Sequence, residues 1–149
     1  MGELLRVLAL TYTYPGQGRH NGHVLTDWLR APEDELPAML DEYIAEGGSP
    51  ESLRDLIGAL DTCAADLARA QMGCNDAPLV REEVLLAIDW LRHAARQGLR
   101  TLNDLPVTWD SLADEQAALI ARQRAAWLSR SRPGGLEDSL AKFALRAGE

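Results

Sequence analysis

Apolar residues recur at spacings of three and four along most of this chain, and the breaks between runs fall at proline, glycine and small polar residues. That period places one stripe on each of several helices. Residues 1–10 are apolar enough for a strand or one short helix. A polar, glycine-rich connection from Thr11 to Gly22 follows, which its tyrosines are expected to order. Val24, Leu25, Trp28 and Leu29 predict a short helix over His23–Arg30, closed by Pro32, and a second is expected between Pro37 and Glu46, ended by Gly47-Gly48. Ser49 as N-cap, Pro50 in the first helical position and Glu51 at the positive dipole end then mark the start of a long helix.

That helix is expected to run from Pro50 to about Gln71, with Leu53, Leu56, Ile57, Leu60, Ala64 and Leu67 on its buried face. Asp76 and Pro78 open a second long helix, the antiparallel partner of the first. Its stripe is Val80, Val84, Leu85, Ile88, Leu91 and Ala95, with Arg81, Glu82, Asp89, Arg92 and Arg96 facing outward, and Gly98 is its expected end. Beyond Pro106, Thr108 or Asp110 caps a third long helix that carries Leu112, Leu119, Ile120, Ala126 and Trp127. The economical architecture is an all-α up-down bundle of three long helices, with shorter helices at both ends. The chain divides most naturally near residue 48, into an irregular N-terminal segment (1–48) and a helical bundle (49–149) packed together as one domain.

The last passage of the pattern is its most distinctive. Over Trp127–Ser139 a helix runs into a basic knot, breaks at Arg132-Pro133-Gly134-Gly135, and resumes a stripe with Leu136, Leu140 and Phe143. With 46% hydrophobic but only 5% aromatic residues, the composition agrees with helices packed on helices. A formal net charge of −8 excludes nucleic acid and an anionic membrane as main partners, because both present phosphates. The apolar N-terminus is too short to span a bilayer and has Glu3 where a signal peptide carries positive charge, so the cytoplasm is the expected compartment. Cys63 and Cys74 lie eleven positions apart, roughly 16 Å on one helix, and are read as free thiols.

Candidate chemistry is sparse. His20, His23 and Asp27 could ligate zinc, but they lack the i, i+4 helical spacing and a fourth ligand, so no metal site is assigned. Glu33-Asp34-Glu35 and Asp41-Glu42 read as solvated faces, and neither a Gly-x-Ser-x-Gly elbow nor a phosphate-cradling loop occurs. No catalytic residue and no cofactor are assigned. The cluster Arg122, Arg124, Arg130 and Arg132 could grip a carboxylate on a partner, although cations late in a helix also complement its dipole. Of the tryptophans Trp28, Trp90, Trp109 and Trp127, Trp28 follows the irregular loop. Trp28, Arg130 and Arg132 are the candidate partner contacts.

Two passages, Tyr12-Thr13-Tyr14-Pro15-Gly16 with Asn21-Gly22-His23-Val24-Leu25, and Trp127–Ser139, resemble the C-terminal part of bacterial family 20 β-N-acetylhexosaminidases. In that family a TIM barrel bears an adjacent Asp-Glu pair, and some members add a helical domain after the barrel. The resemblance implies a non-catalytic helical domain that packs on a glycosidase barrel or on a second copy of itself. A barrel needs about 250 residues, so the catalytic pair is not carried over; Asp34-Glu35 and Asp41-Glu42 match in letters only. The alternative is a stand-alone acidic helical interaction or dimerisation protein unrelated to sugar chemistry. A third reading is a small enzyme or metal protein using His20, His23 and Asp27.

Overall fold

The Ser49-Pro50 signal is realised as a complete cap. Ser49 has an extended backbone (φ −153°, ψ 159°), its Oγ accepts the Ser52 N–H at 3.1 Å, and Ser52 Oγ accepts the Ser49 N–H at 3.0 Å. This is a capping box with serine in the place usually held by Glu or Gln. In the computed structural model, which describes residues 2–10 and 24–144, seven helices and no strand are present among the described residues. They are α1 (Gly2–Leu10), α2 (Val24–Arg30), α3 (Leu36–Ala45), α4 (Pro50–Arg69), α5 (Ala77–Thr101), α6 (Trp109–Arg130) and α7 (Leu136–Ala144). The chain is all-α. Residues 1–10 resolve the choice between strand and helix in favour of helix from Gly2, whereas the connection over 11–22 lies outside the described residues. None of the described helices is long and apolar enough to cross a membrane.

Helix α3 ends where Gly47-Gly48 predict it, and the two glycines have different jobs. Gly47 takes the left-handed conformation (φ 95°), with its N–H bonded to Ile44 O at 3.0 Å and the Gly48 N–H to Tyr43 O at 2.9 Å. That is the Schellman pattern. Gly48 makes room instead, since a Cβ there would sit 2.1 Å from the Tyr43 ring. The Tyr43 hydroxyl then lies 2.6 Å from Ser52 Oγ and 3.1 Å from the Ser49 N–H, so the end of α3 is tied to the start of α4.

Helix α5 touches α2, α3, α4 and α6, and this central position corrects two sequence expectations. The first concerns its end. Gly98 is not a terminus: α5 continues to Thr101 and closes on Asn103, which takes φ 57° and completes a Schellman pattern through Asn103 N–H to Arg100 O (3.0 Å) and Asp104 N–H to Leu99 O (2.8 Å). Gly98 is buried mid-helix because Trp28 crosses it; a Cβ there would lie 2.9 Å from the indole and 3.2 Å from Leu53. The second concerns its outward face. Arg81, Glu82, Asp89, Arg92 and Arg96 are half-buried rather than solvated. Arg81 reaches back to the carbonyl oxygens of Leu67 and of Ala70 (3.0 Å), supplying donors to the C-terminal end of α4, which stops at Arg69.

One core contains Trp28, Leu36, Leu40 and Tyr43 together with Leu53, Leu56, Leu60, Leu67, Ile88, Ala94 and Leu99, so residues on both sides of position 48 share it. Trp28 and Tyr43 meet edge to face, their centroids 5.3 Å apart. At the far side Trp90 of α5 stacks on Phe143 of α7 at 4.7 Å.

The same substitution at two helical glycines is therefore expected to have opposite signs. Gly58 on α4 has nothing within 4 Å of a Cβ position, so Gly58→Ala gains about 0.4–1 kcal/mol of stability. Gly98→Ala overpacks against a buried indole, at about 1–3 kcal/mol against a propensity gain of about 1 kcal/mol, and is expected to lose roughly 1 kcal/mol net. Urea unfolding midpoints check both signs.

Candidate functional site

Helical spacing brings charged residues together where three helices converge. Asp89, Arg92 and Arg96 are separated by three and four positions along α5, and Glu115, Ala118, Leu119 and Arg122 repeat that spacing along α6. With Ile57 and Asp61 of α4, and Leu105 of the α5–α6 connection, they line a cleft of about 630 Å³. Its volume lies in the range of small-molecule sites. Its lining combines apolar side chains with guanidinium and carboxylate groups.

The ion pairs in the walls cross between helices. Arg92 reaches Asp89 Oδ1 (2.7 Å) and, on α4, Asp61. Arg122 of α6 reaches Glu82 Oε1 (2.9 Å) and Asp89 Oδ2 (2.7 Å), so both oxygens of Asp89 are engaged. Arg96 lies 3.2 Å from Glu115 Oε2. Behind Glu115 sits His93, fully buried, with Nε2 2.9 Å from the Gln97 amide nitrogen. The other ring nitrogen of His93, Nδ1, faces Glu115 Oε1 at 3.7 Å. That separation exceeds a hydrogen bond. Among the described residues, His93 Nδ1, Gln97 Oε1 and Arg92 Nε are buried with no hydrogen-bond partner.

Burial pushes the Glu115 carboxyl up, but His93 and Arg96 outweigh it and leave the group below its ordinary value. On α4 the Cys63 thiol is buried and pushed up by desolvation and by Asp66, which keeps it from being a nucleophile. Neither cysteine is in a disulfide. Among the described residues no group of three or more His, Cys, Asp or Glu is placed to hold a metal ion. His20 and His23 lie outside the described residues.

The sequence-named partner contacts are scattered rather than gathered. Trp28 is a core residue with 0% exposure, its ring packed on Tyr43 and Gly98 instead of offered to a partner. Arg130 is engaged within the chain by Asp76 (3.0 Å) and Glu83 (2.6 Å), as Arg124 is by Glu137. Arg132 is exposed, and its carbonyl accepts the Trp127 indole N–H at 3.1 Å. Only Arg122 of the basic cluster joins the cleft. Sequence spacing places Arg92 and Arg96 four positions apart on α5, but nothing in it brings them or His93 beside Glu115 of α6.

No protein-family model matches this chain, and neither a curated protein nor a solved structure matches it. The cleft's chemistry is therefore read from its own residues.

The lowered Glu115 carboxyl has a consequence for acid stability. A carboxylate held below its ordinary value in the folded chain contributes stability that is fully present above the unfolded value, about pH 4.3, and is lost as pH falls through the folded value. Glu115→Gln is expected to flatten the acid limb of the stability–pH curve below about pH 4.3. Denaturant midpoints across that limb, compared with wild type, check it.

Proposed function

We propose that the chain is a non-catalytic helical domain of the kind found after the barrel in family 20 β-N-acetylhexosaminidases, working in the cytoplasm by packing on a glycosidase barrel or on a second copy of itself. In this reading α4, α5 and α6 are the three long members of an up-down bundle. Cross-helix pairs support that topology: Asp61 with Arg92 and Leu67 with Arg81 between α4 and α5, and Glu82 with Arg122 and Arg96 with Glu115 between α5 and α6. In each pair of helices the numbers rise on one as they fall on the other.

The observation that carries the reading is the joint built by the family-like passage Trp127–Ser139. Helix α6 stops at Arg130, the Trp127 indole donates to Arg132 O, and Gly135 turns the chain at φ 78°. Leu136 and Leu140 then return to the interior at 2% and 3% exposure, while Glu137 pairs with Arg124. Trp127, Gly135, Leu136, Glu137 and Leu140 of the passage thus all take part in building the joint. Leu128, 49% exposed beside this joint, supplies apolar surface for packing. The second reading, a stand-alone protein that self-associates, draws on the same surface and on exposed Leu5, Leu10 and Ile44.

Co-expression with a tagged family 20 barrel that lacks its own helical region tests the proposal. The expected outcome is co-purification, weakened by Leu128→Glu, with no turnover of a chromogenic N-acetylglucosaminide by this chain alone. Separate elution of the two proteins would count against it, and dimerisation of the lone chain with rising concentration would then favour the second reading.

A further inference from the structure

We propose that the α4–α5–α6 cleft is a binding site for a small amphipathic monocarboxylate, with Arg96 as the anchoring fork and the ligand's apolar body on Ile57, Leu105 and Leu119. The inference is independent of any glycosidase partner. It rests on an imbalance between donors and acceptors in the cleft walls. The acids are largely committed: Asp89 accepts from Arg92 and Arg122 on its two oxygens, and the two oxygens of Glu115 face Arg96 and His93. Arg92 and Arg122 are committed likewise, each to two carboxylates, whereas Arg96 is not. A guanidinium carries five N–H donors and no acceptor, and among the described residues Arg96, which lines the cleft, makes one polar contact, through Nη1, while 38% of its side chain remains exposed.

The charge of the lining does not oppose a single anion. Arg92, Arg96 and Arg122 balance Asp61, Asp89 and Glu115, so one carboxylate enters a locally neutral site even though the chain carries a net charge of −8. A planar carboxylate matches the guanidinium fork through two parallel hydrogen bonds. An ammonium would meet carboxylates already paired at Asp89 and Glu115, and a neutral amide would lose the charge assistance. The apolar residues, Ile57, Leu105, Ala118 and Leu119, ask for a short hydrocarbon tail. The buried polar pair His93–Gln97 lies behind Glu115.

Methyl and arginine side-chain NMR on the full chain, titrated with hexanoate at millimolar concentration, tests the site. Saturable shifts are expected at the Ile57, Leu105 and Leu119 methyls and at Arg96 Nε, with hexanamide and hexylamine binding at least about tenfold more weakly. Arg96→Gln should weaken hexanoate by roughly tenfold or more. Arg96→Lys, which keeps the charge and loses the fork, should bind between the two. Arg69→Gln, on an exposed α4 pair remote from the cleft lining, serves as the control and should bind as wild type does. Absence of saturable shifts at those methyls would overturn the proposal, as would equal binding of hexanamide or full retention of hexanoate affinity in Arg96→Gln.

Discussion

The close crossing of Trp28 over Gly98 is the constraint on which the rest of this fold depends. An indole can lie against the backbone of α5 only where that helix has no side chain, and Gly98 supplies the gap. With Trp28 seated there, Tyr43 meets it edge on, and the Tyr43 hydroxyl reaches the serine cap that starts α4. One close contact thus couples α2, α3, α4 and α5. Helix α5 becomes a central element with neighbours on several sides, instead of one member of a surface layer.

That centrality also explains the cleft. A helix flanked by α4 and by α6 cannot leave its charged face to water, so Asp89, Arg92 and Arg96 must find partners across the gap. Half-buried ion pairs of this sort contribute little to stability on balance, since desolvation offsets much of the Coulomb attraction. They do something else here: they line a space with oriented donors beside apolar side chains. The arrangement that makes α5 central thereby provides a surface suited to a small acceptor-bearing ligand, while Leu128 beside the Trp127–Gly135 joint leaves apolar surface exposed.

Local signals were legible where the chemistry was local. Ser49-Pro50, Gly47-Gly48, a cap at Thr108 or Asp110 (Thr108 in the structure) and the stripe of α4 could all be read from spacing, because caps and turns are satisfied within a few residues. Gly98 was misread for a physical reason. A glycine near the end of an apolar run resembles a helix stop, and only the tertiary approach of Trp28, seventy positions earlier, distinguishes a stop from a crossing point. The actual stop uses Asn103 in the left-handed region, a residue type that tolerates it less often. The outward face of α5 failed likewise: spacing within one helix says which residues share a face, not how many neighbours cover it. Arg130 looked free for a partner because Glu83 and Asp76, which engage it, lie about fifty positions away in sequence.

Amide hydrogen exchange measures the centrality of α5 most directly, because it ranks each helix by the free energy needed to open it. The account predicts that the amides of Leu86–Leu99 are the slowest in the chain and exchange only through global unfolding, at the free energy given by denaturant, while α1 and α7 open earlier. Exchange of the Leu86–Leu99 amides as fast as those of α1 or α7 would contradict it.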